Sequence, residues 1–167
     1  RPQEFLEFRR ADDAATFVVL ALHDRAETVQ GEPQINALVT GSTSGIGLAI
    51  AQALAAQGVN VAINGFGVAS EIEVIRADIE SRFGVKCIYN GADMSKPAEI
   101  AAFVADTEKA FGSVDILVNN VGVPHDGMQR KSFLEMLPNE WDRLLDINIK
   151  SALNCCSVFA GDMCANG

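Results

Sequence analysis

Short apolar runs alternate with longer segments of helical periodicity from Ile35 onward. The run that ends at Thr40 is continuously apolar at its core, which is typical of a strand buried on both faces. Similar runs predict further strands, and apolar residues three and four apart predict the helices between them. The predicted strands cover 35–40, 59–64, 85–90 and 114–119, and the helices cover 46–57, 72–83 and 97–111. After a polar loop, a long helix is predicted from about Pro138 to beyond Phe159.

Strands that alternate with helices of this length form β-α-β units. Such units have right-handed crossovers, which produce a parallel sheet covered by helices. The predicted fold class is therefore α/β, with a doubly wound parallel sheet of about four strands. Residues 1–34 carry mixed charge and do not share this rhythm, so they are predicted to be an N-terminal extension of unknown role.

A glycine-rich segment joins the first predicted strand to the first predicted helix, and its sequence is Thr40-Gly41-Ser42-Thr43-Ser44-Gly45-Ile46-Gly47. Gly41 lets the chain turn off the strand, Gly45 lets the backbone approach a pyrophosphate, and Gly47 lets the helix pack on the sheet. The free N–H groups of the helix start can bind phosphates, and the hydroxyls of residues 42–44 can add donors. A turn that merely requires small residues is the alternative. The strand before and the helix after favour a nucleotide site, hence a Rossmann-type domain over residues 35–167.

Composition and charge exclude several other classes of protein. The net charge of −9 argues against nucleic acid as a partner, because phosphate binding needs clustered Lys and Arg. The apolar run from Ala14 to Leu22 is about half the ~20 residues needed to cross a bilayer, and acidic residues flank it, unlike a signal peptide. The four cysteines form no C-x-x-C pair and there are two histidines, so no metal site is predicted. Cysteine usage of this kind fits a reducing, cytoplasmic setting.

The glycine spacing G-x-x-x-G-x-G after Thr40 resembles the short-chain dehydrogenase/reductase family, and other marks of that family follow in order. They are Asp93 after the third strand, Asn119-Asn120-Val121-Gly122 after the fourth, and Asn148 in the long helix. The resemblance implies that Asp93 contacts the adenine ring and that Asn148 is a catalytic residue that helps to hold a water in a proton relay. Ordinary structural roles remain open for the same residues: Asp93 can cap a helix, the paired asparagines can form a turn, and Asn148 can be an ordinary polar helix residue.

The nucleotide predicted is NAD rather than NADP. An acid near the end of the second strand usually bonds the NAD ribose, and an Arg there accommodates the NADP phosphate. This strand ends Asn64-Gly65-Phe66-Gly67, with neither residue type, and Phe66 would crowd a 2′-phosphate. The predicted cofactor-binding residues are Gly41, Ser42, Thr43, Ser44, Gly45, Ile46, Gly47, Asn64, Phe66, Asp93, Met94, Asn119, Val121 and Gly122.

Over residues 35–122 the sequence is most similar to bacterial D-3-hydroxybutyrate dehydrogenases. Those enzymes carry a glutamine that holds the substrate carboxylate where this chain has Pro124, which puts 3-hydroxybutyrate in doubt as substrate. The resemblance implies hydride transfer between the nicotinamide and a small secondary alcohol or ketone, by a protein that is a homo-oligomer in its full length. An NAD-binding module or pseudoenzyme without turnover is the alternative, and another kind of Rossmann protein, such as a methyltransferase, is a third.

The family's chemistry also requires a serine and a Tyr-x-x-x-Lys pair. Tyr89 is the sole tyrosine of the chain, it falls on a predicted strand, and the residue four positions later is Asp93. Family spacing would put the serine, tyrosine and lysine beyond Gly167. We therefore expect a domain that is incomplete at its C-terminus, and 167 residues that are inactive alone.

Overall fold

The computed structural model describes residues 34–123 and 133–166, with side chains described as far as Phe159. The predicted N-terminal extension therefore lies outside the described residues, except for Gln34. The elements are β1 Asn36–Val39, α1 Gly45–Ala55, β2 Asn60–Asn64, α2 Ala69–Phe83, β3 Cys87–Asn90, α3 Pro97–Phe111 and β4 Ile116–Val118. A short 3-10 helix (Phe133–Glu135) then precedes α4 Pro138–Leu145, a π-helical turn Asp146–Lys150 and α5 Ser151–Asn166.

The four strands form one parallel sheet in the order β3-β2-β1-β4. Val39 at the end of β1 pairs with Ile63 on one side and with Val118 on the other, so the carboxyl ends of the strands meet at one edge. The chain leaves β1 toward β2 and later returns to the other side of β1 as β4. This reversal of strand order is where open α/β sheets bind their ligands.

Helices cover both faces of this sheet, which confirms the doubly wound prediction. Alternate strand residues such as Val39 and Ile63 pack against α1 and α2 in one buried cluster. Their neighbours Leu38 and Ala62 pack against α3 and α5 in a second cluster, which includes the buried Phe103. The strands are one to three residues shorter than the runs that predicted them.

Side chains of α2 bind the outer backbone groups of Cys87, the first residue of β3, which is the edge strand of the described sheet. The Cys87 N–H donates to the Glu80 carboxylate at 3.1 Å, and the Cys87 carbonyl accepts from Arg76 at 3.1 Å. Arg76 also forms ion pairs of 2.6 Å with Glu73 and with Glu80. Burial raises the pKa of the Cys87 thiol to about 12. Because unpaired edge groups invite another strand, this cluster protects the edge.

The Glu80 contacts lead to a prediction about acid unfolding. The Cys87 N–H and then Arg76 lower the pKa of Glu80, and Arg76 lowers that of Glu73, from an ordinary value of 4.5. A carboxylate with a lowered pKa in the folded state stabilises the fold above its unfolded pKa and loses that effect as pH falls through the folded value. We expect the free energy of unfolding, measured with urea, to fall below about pH 4.5, and less steeply in Glu80→Gln.

The matched control for that measurement is Glu71→Gln. It removes the same charge from the same helix, outside the cluster of Arg76 with Glu73 and Glu80. Its pH dependence is expected to follow that of the unsubstituted protein. Equal slopes for Glu80→Gln and Glu71→Gln would contradict the assignment to the cluster.

Candidate cofactor site

An open cleft of about 510 Å³ lies along the carboxyl edge of the sheet, at the point where the strand order reverses. Its volume is within the ~300–1,000 Å³ typical of small-molecule sites. The turns after all four strands contribute to its walls. Twelve of the fourteen residues predicted to bind a cofactor line it: Gly41, Thr43, Ser44, Gly45, Ile46, Gly47, Asn64, Phe66, Asp93, Met94, Val121 and Gly122.

The glycine-rich turn adopts a backbone that requires its glycines. Gly41 and Gly45 have φ values of 62° and 56°, in the left-handed region that favours glycine. At Gly47 an added Cβ would collide with the Gly41 carbonyl and with the Asn120 side chain. Ser44 precedes α1 in an extended conformation, and its side chain makes no capping hydrogen bond. The amino end of α1 therefore lies open at the cleft, with N–H groups of the kind that bind phosphate.

The three hydroxyl residues of this turn differ in where their side chains point. Ser42 is fully buried, and its hydroxyl donates to the Val39 carbonyl at 2.6 Å and accepts the Asn64 N–H at 2.9 Å. Thr43 lines the cleft and also donates to the Phe66 carbonyl at 3.3 Å. Ser44 lines the cleft and makes no capping hydrogen bond, so its hydroxyl is the one that this turn offers to a ligand. The hydroxyls of Ser42 and Thr43 hold the turn itself.

The paired asparagines after β4 have separate environments. The Asn120 side chain donates to the carbonyls of Thr40 and Gly41, both at 3.0 Å, so it fastens the glycine-rich turn to β4. The hydroxyl of Thr40 accepts the N–H groups of Asn120 and Val121 at 3.0 Å. Asn119 does not line the cleft, and its amide lies 3.5 Å from the Cys156 sulfur. Asn120 was missing from the predicted set, although its position in the Asn-Asn-Val-Gly motif was a signal for it.

Asp93 both lines the cleft and stabilises a turn. Its carboxylate accepts the Ser95 N–H at 2.9 Å and the Ser95 hydroxyl at 2.7 Å. These hydrogen bonds, with the Lys96 ammonium 3.6 Å away, hold the pKa of Asp93 below its ordinary value. Lys96, and not Asp93, is the residue that precedes the first turn of α3. Asp93 is also the one charged side chain among the described residues that line the cleft.

Asn148 lies in the π-helical turn, and its side chain is hydrogen-bonded to the loop after β4. Its side chain accepts the Val123 N–H at 2.9 Å and donates to the Val123 carbonyl at 3.1 Å. The oxygen of that side chain is close enough to Gly122 that an added Cβ there would lie 3.0 Å from it. The helix periodicity predicted one uninterrupted helix, which is wrong at this turn. π-helical turns are rare and frequently occur at functional sites.

Six residues that line the cleft were absent from the predicted set: Gly65, Ala92, Ser95, Asn120, Val123 and Ile147. Five of them adjoin a predicted residue in the turns after the strands. Ile147 precedes Asn148 and brings the long helix to the cleft. Pro124, the position that bears on the substrate, lies outside the described residues.

Two kinds of feature are absent from the described part of the chain. No group of three or more His, Cys, Asp or Glu side chains there could hold a metal ion. No helix there has both the length and the hydropathy that a membrane span requires.

Comparison with known proteins matches this sheet and cleft to one family. The family model for short chain dehydrogenases matches residues 35–167. A D-beta-hydroxybutyrate dehydrogenase from Cupriavidus necator is 47% identical over 119 residues, which are 71% of this chain and 43% of that enzyme. A 3-oxoacyl-[acyl-carrier-protein] reductase from Staphylococcus epidermidis is 38% identical over 120 residues, 72% of this chain and 47% of that enzyme. The chain thus spans less than half the length of these curated relatives.

Solved structures give the same result. The L-sorbose reductase of Gluconobacter frateurii, in complex with NADPH and L-sorbose, superposes with a TM-score of 0.73 at 28% identity over 82% of this chain and 50% of that one. A 3-oxoacyl-[acyl-carrier protein] reductase from Brucella melitensis, in complex with NAD, superposes with a TM-score of 0.73 at 31% identity over 81% of this chain and 51% of that one. The chain belongs to the short-chain dehydrogenase family.

Proposed function

We propose that the chain binds NAD(H) in the cleft and forms the cofactor-binding part of an oxidoreductase. The reaction is hydride transfer between the nicotinamide and a small secondary alcohol or ketone. The observation that carries the proposal is the glycine-rich turn. Gly41 and Gly45 have left-handed backbones, and a Cβ at Gly45 would meet no atom within 4 Å, so there is open space for a pyrophosphate beside the amino end of α1. Relatives named as dehydrogenases and reductases support the reaction class.

Different residues of the cleft bind different parts of the dinucleotide. The amino end of α1, with the hydroxyl of Ser44, binds the phosphates. Asp93 and Met94 lie beyond β3 and take the adenine, and the turn 121–123 borders the nicotinamide end. The bound nicotinamide supplies the hydride chemistry, while the protein orients it and excludes water. The Asn148 side chain holds the last of these turns through Val123.

The preference for NAD over NADP is a testable part of this proposal. No Lys or Arg lines the cleft among the described residues, and the exposed Phe66 ring stands at the end of β2. We expect NADH, followed by its fluorescence, to bind at least about tenfold more tightly than NADPH, since a 2′-phosphate would find no cation. Phe66→Arg is expected to reduce the ratio of NADH affinity to NADPH affinity. Phe66→Leu is the control that removes the ring without adding a charge. Equal affinities for the two nucleotides in the unsubstituted protein would contradict the preference.

The substrate proposed is a small hydroxy or keto compound, with 3-hydroxybutyrate as the first to assay because of the relatives named for it. An NAD-binding module without turnover is the second candidate, and the environment of Tyr89 favours it for these residues alone. The Tyr89 hydroxyl donates to the Gly65 carbonyl at 2.9 Å, at the adenosine end of the cleft. A Tyr-x-x-x-Lys sequence elsewhere in the natural protein would decide for the enzyme.

Two further proposals concern the setting of the protein. The cysteines 87, 155 and 156 are free thiols, which supports a cytoplasmic location. Leu145, Ile149 and Leu153 follow one another at intervals of four along the long helix, and each is exposed by 44% or more. Such an apolar stripe supports a homo-oligomer in the full-length protein.

A further inference from the structure

Asn64 ends β2 at the cleft, but its side chain is almost completely buried, with 1% exposed. The carboxamide oxygen accepts the Gly41 N–H at 3.3 Å. The carboxamide nitrogen donates to the carbonyls of Asn90, at 3.0 Å, and of Ala92, at 2.9 Å. Since an amide nitrogen has two N–H groups, both donors are in use.

These hydrogen bonds join turns that follow three different strands. Gly41 opens the glycine-rich turn after β1, while Asn90 and Ala92 flank the turn that leads from β3 to Asp93. The backbone of Asn64 adds two links to Ser42, whose hydroxyl accepts the Asn64 N–H at 2.9 Å and whose N–H donates to the Asn64 carbonyl at 2.5 Å. Asn64 therefore connects the glycine-rich turn, the proposed phosphate side of the cleft, to the turn that carries Asp93, the proposed adenine side.

The turn after Asn64 is held from the same two sides. The Gly65 carbonyl accepts the Tyr89 hydroxyl of β3 at 2.9 Å, and the Phe66 carbonyl accepts the Thr43 hydroxyl at 3.3 Å. Hydrogen bonds to the β1 and β3 sides thus restrain the backbone around Asn64. A site whose walls are already placed loses less entropy when the ligand binds.

We infer that Asn64 is the positioning residue for the adenosine half of the cofactor. Its carboxamide fixes the distance between the glycine-rich turn and the turn that carries Asp93. That distance is therefore already set before the cofactor binds. The inference rests on the proposed function and names the residue that prepares the same cleft. Asn64 acts through the backbone of Gly41 and Ala92 and not through a polar contact of its own with the ligand.

The chain contains a matched control at the other end of the same strand. Asn60 begins β2, is 3% exposed and is bonded in the same manner. Its carboxamide nitrogen donates to the side-chain oxygens of Gln34 and Asn36 at 2.9 Å, and its oxygen accepts the Lys86 N–H at 2.9 Å. A change at Asn60 therefore disturbs a buried amide network of similar size, far from the cleft.

The test compares Asn64→Asp with Asn60→Asp. Aspartate keeps the shape and the acceptor but loses both N–H donors, so each variant is expected to have a lower thermal midpoint. Binding is measured below both midpoints with NADH, with ADP-ribose for the adenosine half, and with reduced nicotinamide mononucleotide for the other half. Asn64→Asp is expected to weaken NADH and ADP-ribose by about tenfold and to leave the mononucleotide unchanged, and Asn60→Asp to leave all three within about twofold.

Two results would overturn the inference: unchanged ADP-ribose affinity in folded Asn64→Asp, or an equal loss in Asn60→Asp. Failure of the unsubstituted protein to bind NADH would instead refute the proposed function, so the two failures are distinguishable. If Asn64→Asp does not fold, the binding comparison is replaced by a hydrogen-exchange measurement on the unsubstituted protein. ADP-ribose is expected to slow exchange of the Gly41 amide, bonded to Asn64, and not of the Lys86 amide, bonded to Asn60. Equal slowing at both would mean stabilisation of the whole fold and would refute the inference.

Discussion

Gly47→Ala is expected to weaken NADH binding by about 100-fold or more, the largest loss we predict for a single substitution. The added Cβ would collide with the Gly41 carbonyl and with the Asn120 side chain. Neither group can move without loss of stability. Gly41 is fixed in a tight turn with a φ of 62°, and the Asn120 amide is bonded to the carbonyls of Thr40 and Gly41. The clash would push the start of α1 away from the turn and displace the N–H groups that we propose bind the phosphates. The measurement is a fluorescence titration with NADH, well below the thermal midpoint of the variant.

Gly67→Ala is the control for this substitution. Gly67 also follows a strand beside the cleft, but a Cβ there would make only ordinary contact, 3.4 Å from Ile72. We expect its NADH affinity to stay within about twofold of the unsubstituted protein, because no backbone has to move. A Gly47→Ala protein that binds NADH as tightly as Gly67→Ala would disprove the proposed role of the turn.

The sequence predicted the path of the chain better than the direction of its side chains. Apolar runs and glycines depend on local periodicity and on the steric demands of turns, so the four strands and the glycine-rich turn could be located in advance. Ser42 and Asn64 are different. Both are polar and adjacent to a predicted phosphate site, yet their side chains turn inward: the Ser42 hydroxyl accepts the Asn64 N–H of β2, and the Asn64 amide donates to the Asn90 carbonyl of β3. That choice depends on strand order, which places β2 between β1 and β3 and is not a local property of the sequence.

The long helix shows a second limit of the same kind. A period of 3.6 residues predicts a regular helix through Asn148, and one extra residue in a turn alters that period too little to be detected. Ile147 lies in this turn and lines the cleft, and the periodicity gave no signal for it. The catalytic role that the family resemblance implies for Asn148 stays a prediction, and its contact with Val123 could be seen only in the structure.

The 167 residues by themselves are expected to bind NADH and to reduce no NAD, with 3-hydroxybutyrate or with any other secondary alcohol. Oxidation of an alcohol needs a base within hydrogen-bond reach of its hydroxyl, and the family uses the tyrosine of a Tyr-x-x-x-Lys pair. The single tyrosine of this chain, Tyr89, lies on β3, where its hydroxyl is bonded to the Gly65 carbonyl in the turn after β2. The residue four positions later is Asp93, which bears the opposite charge to the required lysine.

The assay follows alcohol-dependent NADH formation at high protein concentration, with Gly47→Ala purified and assayed in parallel. This pairing separates the chain's own activity from that of a contaminating host dehydrogenase, because only the former depends on the glycine-rich turn. No activity, or equal activity in both preparations, is the expected result. Activity that is present in the unsubstituted chain and lost in Gly47→Ala would mean that these residues contain a complete catalytic site. The base would then have to be sought among residues other than Tyr89, whose hydroxyl is bonded to the Gly65 carbonyl.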